Sequence, residues 1–206
     1  MCNLYKMSRS VDEVAHFFDA IAQDMGVAPA GNAPEEIYPG YPGLVLADGT
    51  LQQMVWGFPL QRKGAKGQPL KPKPINNART DKLGSSFWKP SFEARRCLIP
   101  VSCFAEAEGR PGSKTRTWFS PPEGEPLFAI AGFWRDSAEW GRTYTMIMTE
   151  ACETVSCAHD RMPVILASDV WQAYLTAEPR DAYALCRPYE GAMRCDRTDE
   201  PWTGRR

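Results

Sequence analysis

Short apolar or alternating segments, each bounded by turn residues, constrain the fold of this chain more than any other feature. They cover residues 43–47, 51–56, 97–101, 115–119, 127–131, 144–148 and 164–166. Segments this short, with this pattern, are typical of β-strands. Asp48-Gly49 lies between the first two segments and predicts a tight hairpin turn. The sequence therefore predicts a sheet-rich body.

Helical signals are fewer and lie towards the two ends of the chain. Ser10-Val11-Asp12-Glu13 has the pattern of a capping box and predicts an amphipathic helix that runs to about Met25. His16 lies off the apolar face of this helix, which indicates a surface position. Ser168 is predicted to cap a second helix, and residues 181–186 predict a further helical piece. Residues 64–74 are rich in lysine, glycine and proline, and they predict an exposed loop.

Length and composition indicate a single domain. The chain has 206 residues, of which 43% are hydrophobic, and a core of this size needs neither a disulfide nor a metal to be stable. We assign residues 2–190 to this domain and residues 191–206 to a polar C-terminal tail. The sequence contains neither an apolar run of membrane-spanning length nor a signal-peptide pattern. Seven cysteines without regular spacing fit a reducing compartment, so we expect a cytoplasmic protein without membrane association.

Charge is distributed unevenly along the chain, although the net charge is only -1. Residues 1–61 carry two basic and seven acidic side chains, whereas residues 62–96 carry ten basic and two acidic ones. The basic segment also contains Phe87 and Trp88. Positive side chains with aromatic rings between them are what a surface needs to follow phosphates and to stack bases. A solvated loop with scattered lysines is the alternative interpretation of this segment.

Met1-Cys2 is the main candidate for covalent chemistry. Removal of the initiator methionine leaves the thiol and the α-amine of Cys2 on adjacent carbons. An α-amine is neutral at pH 7 about a hundredfold more often than a lysine side chain, so this amine is a good nucleophile towards aldehydes. Attack by the amine gives an imine, and addition of the thiol closes a five-membered thiazolidine ring. A cysteine that is second in the chain by chance is the alternative.

Four further positions carry chemically useful side chains. Asn77 and Arg79 lie two residues apart beside the basic segment. Glu106 lies at the end of an apolar strand, where burial raises the pKa of a carboxyl group towards a range useful for acid and base catalysis. His159 stands next to Asp160 and is able to act as an acid or a base near neutral pH. The spacing of Cys152, Cys157 and His159 fits no common zinc site, so no metal and no other cofactor is implied.

Six segments, met in order along the chain, carry a resemblance to a known family. They are Met1-Cys2, Trp56-Gly57-Phe58, Asn77-Ala78-Arg79, Arg96-Cys97-Leu98-Ile99-Pro100 with Phe104 and Glu106, Ala131-Gly132-Phe133-Trp134, and His159-Asp160-Arg161-Met162-Pro163-Val164-Ile165-Leu166. The chain resembles the SOS response-associated peptidase (SRAP) family from Cys2 to about Pro188. The resemblance implies a single α+β domain in which twisted antiparallel strands form a barrel-like core and helices lie outside it.

The resemblance also implies a function. Members of the family sense abasic sites in single-stranded DNA and trap them covalently through an N-terminal cysteine that forms a thiazolidine with the opened sugar. The family's peptidase activity amounts to autoproteolytic removal of the initiator residue. The protein is then expected to act as a monomer on single-stranded DNA that contains abasic sites, and to associate with the nucleoid when bound.

Site roles follow from the same resemblance, position by position. It implies that Cys2 is the nucleophile, that Asn77 orients the aminothiol, that Glu106 is the general acid and base, and that His159 supports opening of the sugar ring and reversal of the cross-link. It also implies that Arg79 holds a DNA phosphate, and we predict further DNA contacts at Trp56, Arg161, Lys71 and Lys73. Arg9 or the lysines of the 62–73 loop could replace the backbone contact that many members make with the arginine that Leu4 replaces here.

The chain departs from the family pattern at two places. Asn3-Leu4 stands where many members have Gly-Arg, and Ala107 follows the glutamate where an aromatic residue is usual. Two other functions are compatible with parts of the sequence. An N-terminal nucleophile amidohydrolase would use the same free amine as a base but would need neither His159 nor the basic segment. A noncovalent module for single-stranded DNA or modified bases would need the basic segment but not Cys2.

Overall fold

The structure is a computed structural model, and it describes residues 2–19, 26–27 and 34–202. The helices of this part of the chain are α1 (Val11–Phe17), α2 (Lys89–Ala94), α3 (Glu153–Ser156), α4 (Trp171–Thr176) and α5 (Pro179–Ala184), with single 3₁₀ turns at Thr80–Lys82 and Ser168–Val170. Its strands are β1 (Tyr5–Lys6), β2 (Gly26–Val27), β3 (Glu36–Ile37), β4 (Pro42–Ala47), β5 (Thr50–Trp56), β6 (Phe58–Lys63), β7 (Pro69–Ile75), β8 (Asn77–Arg79), β9 (Arg96–Val101), β10 (Cys103–Glu108), β11 (Thr115–Ser120), β12 (Phe128–Ser137), β13 (Gly141–Glu150), β14 (Arg161–Pro163), β15 (Ile165–Leu166) and β16 (Arg194–Pro201).

Five strands of the larger sheet close on themselves. β12 pairs with β13 on one side and with β9 on the other, β9 pairs with β4, and β4 pairs with β5. β5 then pairs with β13 in parallel, with Val55 opposite Thr143, which completes the ring. A closed ring has no exposed strand edge. The predicted single α+β domain with a barrel-like core is thus confirmed, although three pairings of this sheet, β5–β13, β8–β13 and β2–β5, are parallel.

A second, antiparallel sheet has the strand order β16-β11-β10-β1-β3. Tyr5 of β1 lies opposite Phe104 of β10, and the rings of Phe104 and Phe119 stack with their centroids 5.2 Å apart. This sheet places the N-terminal strand directly beside the strand that carries Glu106. The proximity of Cys2 to Glu106 therefore follows from strand pairing.

The predicted hairpin and the predicted helix start are both confirmed. β4 and β5 are joined by Asp48 and Gly49, whose φ angles of 52° and 69° are the left-handed values that a two-residue hairpin turn requires. At the start of α1 the side chain of Ser10 accepts a hydrogen bond from the Glu13 amide, and the Glu13 carboxylate accepts one from the Ser10 amide. His16 is exposed, as predicted. The helix ends at Phe17, and the predicted extension to Met25 falls largely outside the described residues.

Two segments that the sequence predicts to be irregular are strands. Residues 69–75 form β7, which pairs with β6 in a separate two-stranded ribbon, despite three prolines. A two-stranded ribbon leaves each strand one outer edge, where the missing N–H of proline costs no ladder hydrogen bond. Residues 194–201 form β16 at the edge of the second sheet, paired with β11. Residues 194–201 of the predicted polar tail are therefore a strand of the second sheet.

A helix forms in the C-terminal region where the sequence predicts one, but Ser168 does not cap it. α4 begins at Trp171, after a 3₁₀ turn, and no side chain hydrogen-bonds to cap it. Trp171 and Tyr174 are buried, and the hydroxyl of Tyr174 donates a hydrogen bond to the Gly132 carbonyl at 2.8 Å. Tertiary packing against the barrel therefore stabilises this short helix. Within the described residues, none of the helices has the length and apolar character needed to span a membrane.

Candidate functional site

Cys2 is held by its backbone at the start of the second sheet. The carbonyl of Leu4 accepts a hydrogen bond from the Ala105 amide at 3.0 Å, which continues the pairing of β1 with β10 towards the N-terminus. The Cys2 carbonyl accepts two hydrogen bonds, from Asn77 Nδ2 at 2.7 Å and from Asn76 Nδ2 at 3.1 Å. These contacts fix the position of the residue independently of its side chain.

The Cys2 side chain is fully buried, and its Sγ donates a weak hydrogen bond to the Leu4 carbonyl at 3.5 Å. Burial raises the pKa of the thiol strongly, and the negative charge of Glu106 raises it further. The thiol is therefore protonated at neutral pH in this environment. Any reaction that uses it as a nucleophile has to remove its proton as the new bond forms.

Asn77 lies in β8, which pairs in parallel with β13. While its Nδ2 binds the Cys2 carbonyl, its buried Oδ1 has no hydrogen-bond partner among the described residues. A buried amide oxygen without a partner is unfavourable by about 1–3 kcal/mol, so this atom is a ready acceptor for an N–H group placed near Cys2. Asn76 also donates to Asn3 Oδ1 at 3.1 Å, and its own carbonyl accepts a hydrogen bond from Trp56 Nε1 at 3.0 Å.

Glu106 lies within β10 and not at the end of a strand as the sequence predicts, because the chain turns at Ser102 and begins a new strand at Cys103. It is opposite Thr117 of β11 and is 1% exposed. Burial raises the pKa of its carboxyl group from 4.5 to about 7. The positive charge of the chain's amino terminus opposes this rise, and the negative charge of Asp160 adds to it. The sequence-based expectation that burial shifts this pKa is confirmed, and the carboxyl group is able to give and take a proton near neutral pH.

His159 is partly buried between α3 and β14, and burial lowers its pKa, as does the positive charge of the amino terminus. Its Nδ1 accepts a hydrogen bond from the Arg161 amide at 2.9 Å, and it also lies 2.8 Å from Asp160 Oδ1. The two contacts require different protonation states, because Nδ1 must be bare to accept and protonated to donate. The lowered pKa and the 84% exposure of Asp160 favour the first state. The neutral ring then carries its proton on Nε2.

Glu106 and His159 share an electrostatic environment, although one lies in β10 and the other in the turn between α3 and β14. The charges of Asp160, Lys114 and the amino terminus act on the pKa of both groups. The structure therefore brings together Cys2, Asn77, Glu106 and His159, the four residues that the sequence predicts to be catalytic. The Lys114 contribution was missed, because this lysine lies in a polar turn before β11 without a motif that marks it.

Arg79 and Arg161 lie on strands that both pair with β13, and Met148 is opposite both Arg79 and Pro163. Arg79 binds Asp81 through two hydrogen bonds, from Nε at 2.9 Å and from Nη2 at 2.8 Å. The Arg79 hydrogen bonds lower the pKa of Asp81, and the charge of Arg161 adds to this effect. Arg79 therefore binds the Asp81 carboxylate directly, and the charge of Arg161 also acts on it.

The other residues that the sequence predicts to contact DNA do not lie with Arg79 and Arg161. Lys71 and Lys73 are exposed on β7, in the ribbon outside the two sheets, so the structure does not place them with Cys2. Trp56 is fully buried, and its ring packs edge-on against Tyr5 with the ring centroids 5.1 Å apart. Its indole N–H donates a hydrogen bond to the Asn76 carbonyl. A base cannot stack on a ring that is closed off on all sides. The structure therefore offers no exposed Trp56 ring for the predicted DNA contact, and it uses this side chain to support the strand end that leads to Asn77.

Within the described residues, no group of three or more His, Cys, Asp or Glu side chains is arranged to hold a metal ion. The Cys152 amide donates to Met162 Sδ at 3.3 Å, and the Cys157 thiol donates to the Thr154 carbonyl at 3.2 Å. The side chains of Cys2, Asn77, Glu106 and His159 carry a thiol, an amide, a carboxyl group and an imidazole.

Comparison with known proteins identifies a family and a shared fold. The sequence profile of the family described as SOS response associated peptidase (SRAP) matches residues 1–200. Abasic site processing protein YoaM of Bacillus subtilis is 30% identical over 210 residues, covering 92% of this chain and 87% of that protein. Abasic site processing protein YoqW of the same organism is 32% identical over 161 residues, covering 71% and 69% of the two chains. A crystal structure from Bordetella bronchiseptica shares the fold, with a TM-score of 0.77 at 22% identity over 96% of this chain and 99% of that one.

Proposed function

The chain belongs to the SOS response-associated peptidase family, and from this we propose that it processes abasic sites in single-stranded DNA by forming a covalent cross-link through Cys2. Two relatives named as abasic site processing proteins support the substrate. The observation that carries the chemistry is the fixed position of Cys2, with its carbonyl held by Asn77 and its side chain beside Glu106.

Loss of Met1 exposes the α-amine of Cys2, which attacks the aldehyde of the opened deoxyribose. The amine forms a C–N bond, and the hydroxyl of the resulting carbinolamine leaves as water to give an imine. Glu106, with a pKa of about 7, donates the proton that this hydroxyl needs to leave. The Cys2 thiol then adds to the imine carbon, its proton passes to the nitrogen, and a thiazolidine closes. Glu106 is well placed to relay that second proton, because its charge acts directly on the thiol.

Asn77 and His159 act before and around these steps. The free Oδ1 of Asn77 accepts an N–H of the Cys2 amine and so directs the nitrogen lone pair towards the aldehyde. His159 presents a neutral ring with a proton on Nε2, which is a donor for the ring oxygen of the closed sugar. Protonation of the ring oxygen promotes opening of the sugar ring, and the aldehyde exists only in the open form.

Arg79 and Arg161 hold a phosphate of the DNA in this proposal, in the position that Asp81 occupies in the free protein. The exposed lysines of β7 add a second, more distant contact to the strand. One chain supplies every group that the chemistry needs, so the protein acts as a monomer, and action on chromosomal DNA places it at the nucleoid. The peptidase step is confined to removal of Met1.

The experiment is incubation of the mature protein with single-stranded DNA that contains one abasic site, followed by a denaturing gel. We expect a slow-migrating band in the wild type and in the control variant Cys152→Ala, and no such band in Cys2→Ala. Noncovalent binding of Cys2→Ala stays near that of the wild type, because phosphate contacts rather than the thiol supply affinity. Cys2→Ser retains at most an imine that borohydride traps.

Each alternative function has its own result in this experiment. A band of undiminished intensity in Cys2→Ala contradicts the thiazolidine mechanism. Binding that tolerates every change at Cys2, with no covalent band in the wild type, identifies a noncovalent module. Amide hydrolysis that depends on Cys2 but not on His159 identifies an N-terminal nucleophile hydrolase.

A further inference from the structure

Asn76 binds the same carbonyl group as Asn77, although the proposed reaction gives it no role. Its Nδ2 lies 3.1 Å from the Cys2 carbonyl oxygen, and Nδ2 of Asn77 lies 2.7 Å from the same atom. A carbonyl oxygen has two lone pairs, so it accepts both hydrogen bonds at once. Two side chains, rather than one, therefore hold the first peptide group after the reacting residue.

The side chain of Asn3 determines which way the Asn76 amide faces. Nδ2 of Asn76 carries two hydrogens, and its second acceptor is Asn3 Oδ1 at 3.1 Å. Rotation of the Asn76 amide by half a turn would place its Oδ1 against two acceptor oxygens, which is unfavourable. Asn3 therefore keeps the donor side of the Asn76 amide turned towards Cys2.

The backbone of Asn76 is anchored in the core of the barrel. Its carbonyl oxygen accepts hydrogen bonds from Trp56 Nε1 at 3.0 Å and from the Met146 amide at 3.1 Å. Trp56 and Met146 are both fully buried. The half-buried Asn76 side chain is thus presented to Cys2 from a fixed part of the structure.

This grip matters most once Met1 has been removed. Cys2 then has no peptide bond on its amine side, and its remaining link to the chain is through its carbonyl group. The carbonyl, the amine and the side chain all branch from one Cα atom, so the orientation of the carbonyl sets the directions of the amine and the thiol. Reacting groups that are held in the productive geometry react faster.

We propose that Asn76, oriented by Asn3, is a second positioning residue for Cys2, which speeds thiazolidine formation without adding to DNA affinity. The inference rests on the proposed cross-linking reaction. Asn76 forms no bond with the sugar and transfers no proton, because its two N–H groups are used by Cys2 and Asn3. Its effect therefore falls on the rate of the covalent step at saturating DNA and not on the affinity.

The first test is a single-turnover time course at saturating abasic single-stranded DNA, with affinity for intact DNA measured in parallel. We expect Asn76→Ala to slow cross-link formation by about threefold to tenfold, the scale of one hydrogen bond, and to leave the affinity unchanged. Asn76→Asp keeps the shape of the side chain but cannot donate, so it should be at least as slow. Gln52→Ala is the matched control, because Gln52 Nε2 also donates to a backbone carbonyl, that of Ala47 at 3.2 Å, in the β4–β5 hairpin.

A double-variant cycle tests the assigned role of Asn3. Asn3→Ala should slow cross-link formation less than Asn76→Ala does, and it should add nothing when Asn76 is already alanine. If the two effects multiply, Asn3 does not act through Asn76 and the proposal is overturned. If Asn76→Ala weakens DNA binding and lowers the free energy of unfolding in proportion to the loss of rate, Asn76 only supports the fold, and the proposal is again overturned.

A small aldehyde separates this proposal from the proposed function. Glycolaldehyde needs no DNA site, and the amine and thiol of Cys2 add to its carbonyl carbon with loss of one water, which intact mass detects. We expect the same order of rates among the variants as with DNA. A wild type that captures glycolaldehyde but does not cross-link to DNA contradicts the proposed function and leaves the role of Asn76 standing. A wild-type rate in Asn76→Ala with either aldehyde overturns that role.

Discussion

Replacement of Glu106 by glutamine tests the electrostatic basis of the proposed acid. In the unfolded chain the carboxyl group has a pKa of 4.5, and burial raises it to about 7 in the folded protein. Between these pH values the folded state holds a proton that the unfolded state has released. The free energy of unfolding of the wild type therefore falls as the pH rises through this window, because the folded state must accept a buried charge. The full loss is about 3 kcal/mol.

The glutamine variant keeps the size of the side chain and does not ionise. Every other titrating group is common to both proteins, so the difference between their unfolding free energies isolates Glu106. We expect Glu106→Gln to gain about 2.5 kcal/mol relative to the wild type between pH 5 and pH 8, whatever its offset at pH 5. The measurement is urea unfolding of both proteins at half-unit pH steps across this range.

Glu108 provides a matched control on the same strand. Hydrogen bonding by Thr117 and pairing with Arg197 lower the pKa of Glu108, so its contribution to stability is present above the unfolded value of 4.5 and is lost as the pH falls. The difference between Glu108→Gln and the wild type should therefore show no rise from pH 5 to pH 8. If the difference in unfolding free energy between Glu106→Gln and the wild type is also constant from pH 5 to pH 8, Glu106 ionises in the folded protein as it does in the unfolded chain. Glu106 would then be unable to act as an acid at neutral pH, and the role proposed for it would be wrong.

Three further outcomes follow from the site. Arg79→Ala should weaken binding to single-stranded DNA and reduce the slope of log affinity against log salt concentration by about one. Asp81→Asn removes the competing carboxylate and should strengthen binding. Fluorescence anisotropy across a salt series measures both effects. His159→Ala should slow both formation and reversal of the cross-link, since a catalyst of ring opening acts in both directions, and an effect on only one rate in single-turnover time courses would contradict this role. Trp56→Ala should lower the free energy of unfolding by about 3–5 kcal/mol in urea titrations, because the ring is fully buried, and should leave the salt slope of DNA binding unchanged.

The elements that could be predicted from sequence are those whose local pattern and tertiary setting agree. Asp48-Gly49 requires left-handed backbone at both positions, and the flanking strands alternate or are continuously apolar, so the hairpin follows. β16 could not be predicted in this way, because an exposed edge strand has no buried face and therefore no alternation to detect. β7 was not predicted because it contains three prolines. Proline is disfavoured in central strands, where its missing N–H leaves a ladder hydrogen bond unmade, but not in an isolated two-stranded ribbon.

The site shows the same division between local and tertiary information. The sequence places Glu106 at an apolar strand, and burial of that strand is enough to explain the direction of its pKa. The tautomer of His159 depends on the backbone amide of Arg161, and the sharing of Lys114 by two catalytic groups depends on how the sheets pack. Trp56 belongs to a motif whose residue types suit stacking and core packing equally, and only the closed barrel decides between them.

Asp81 at first sight conflicts with a phosphate-binding role for Arg79, because it already satisfies the guanidinium in two hydrogen bonds. The two side chains are 44% and 47% exposed, however, and an ion pair at such a surface is worth about 1 kcal/mol or less. A DNA phosphate offers the same bidentate geometry, and the second arginine, Arg161, strengthens its attraction to this point. Exchange of the carboxylate for a phosphate therefore keeps the guanidinium bonded throughout and gives up little stability. Asp81 therefore competes only weakly with the phosphate in the proposed site, and removal of its charge in Asp81→Asn should strengthen binding of the strand modestly.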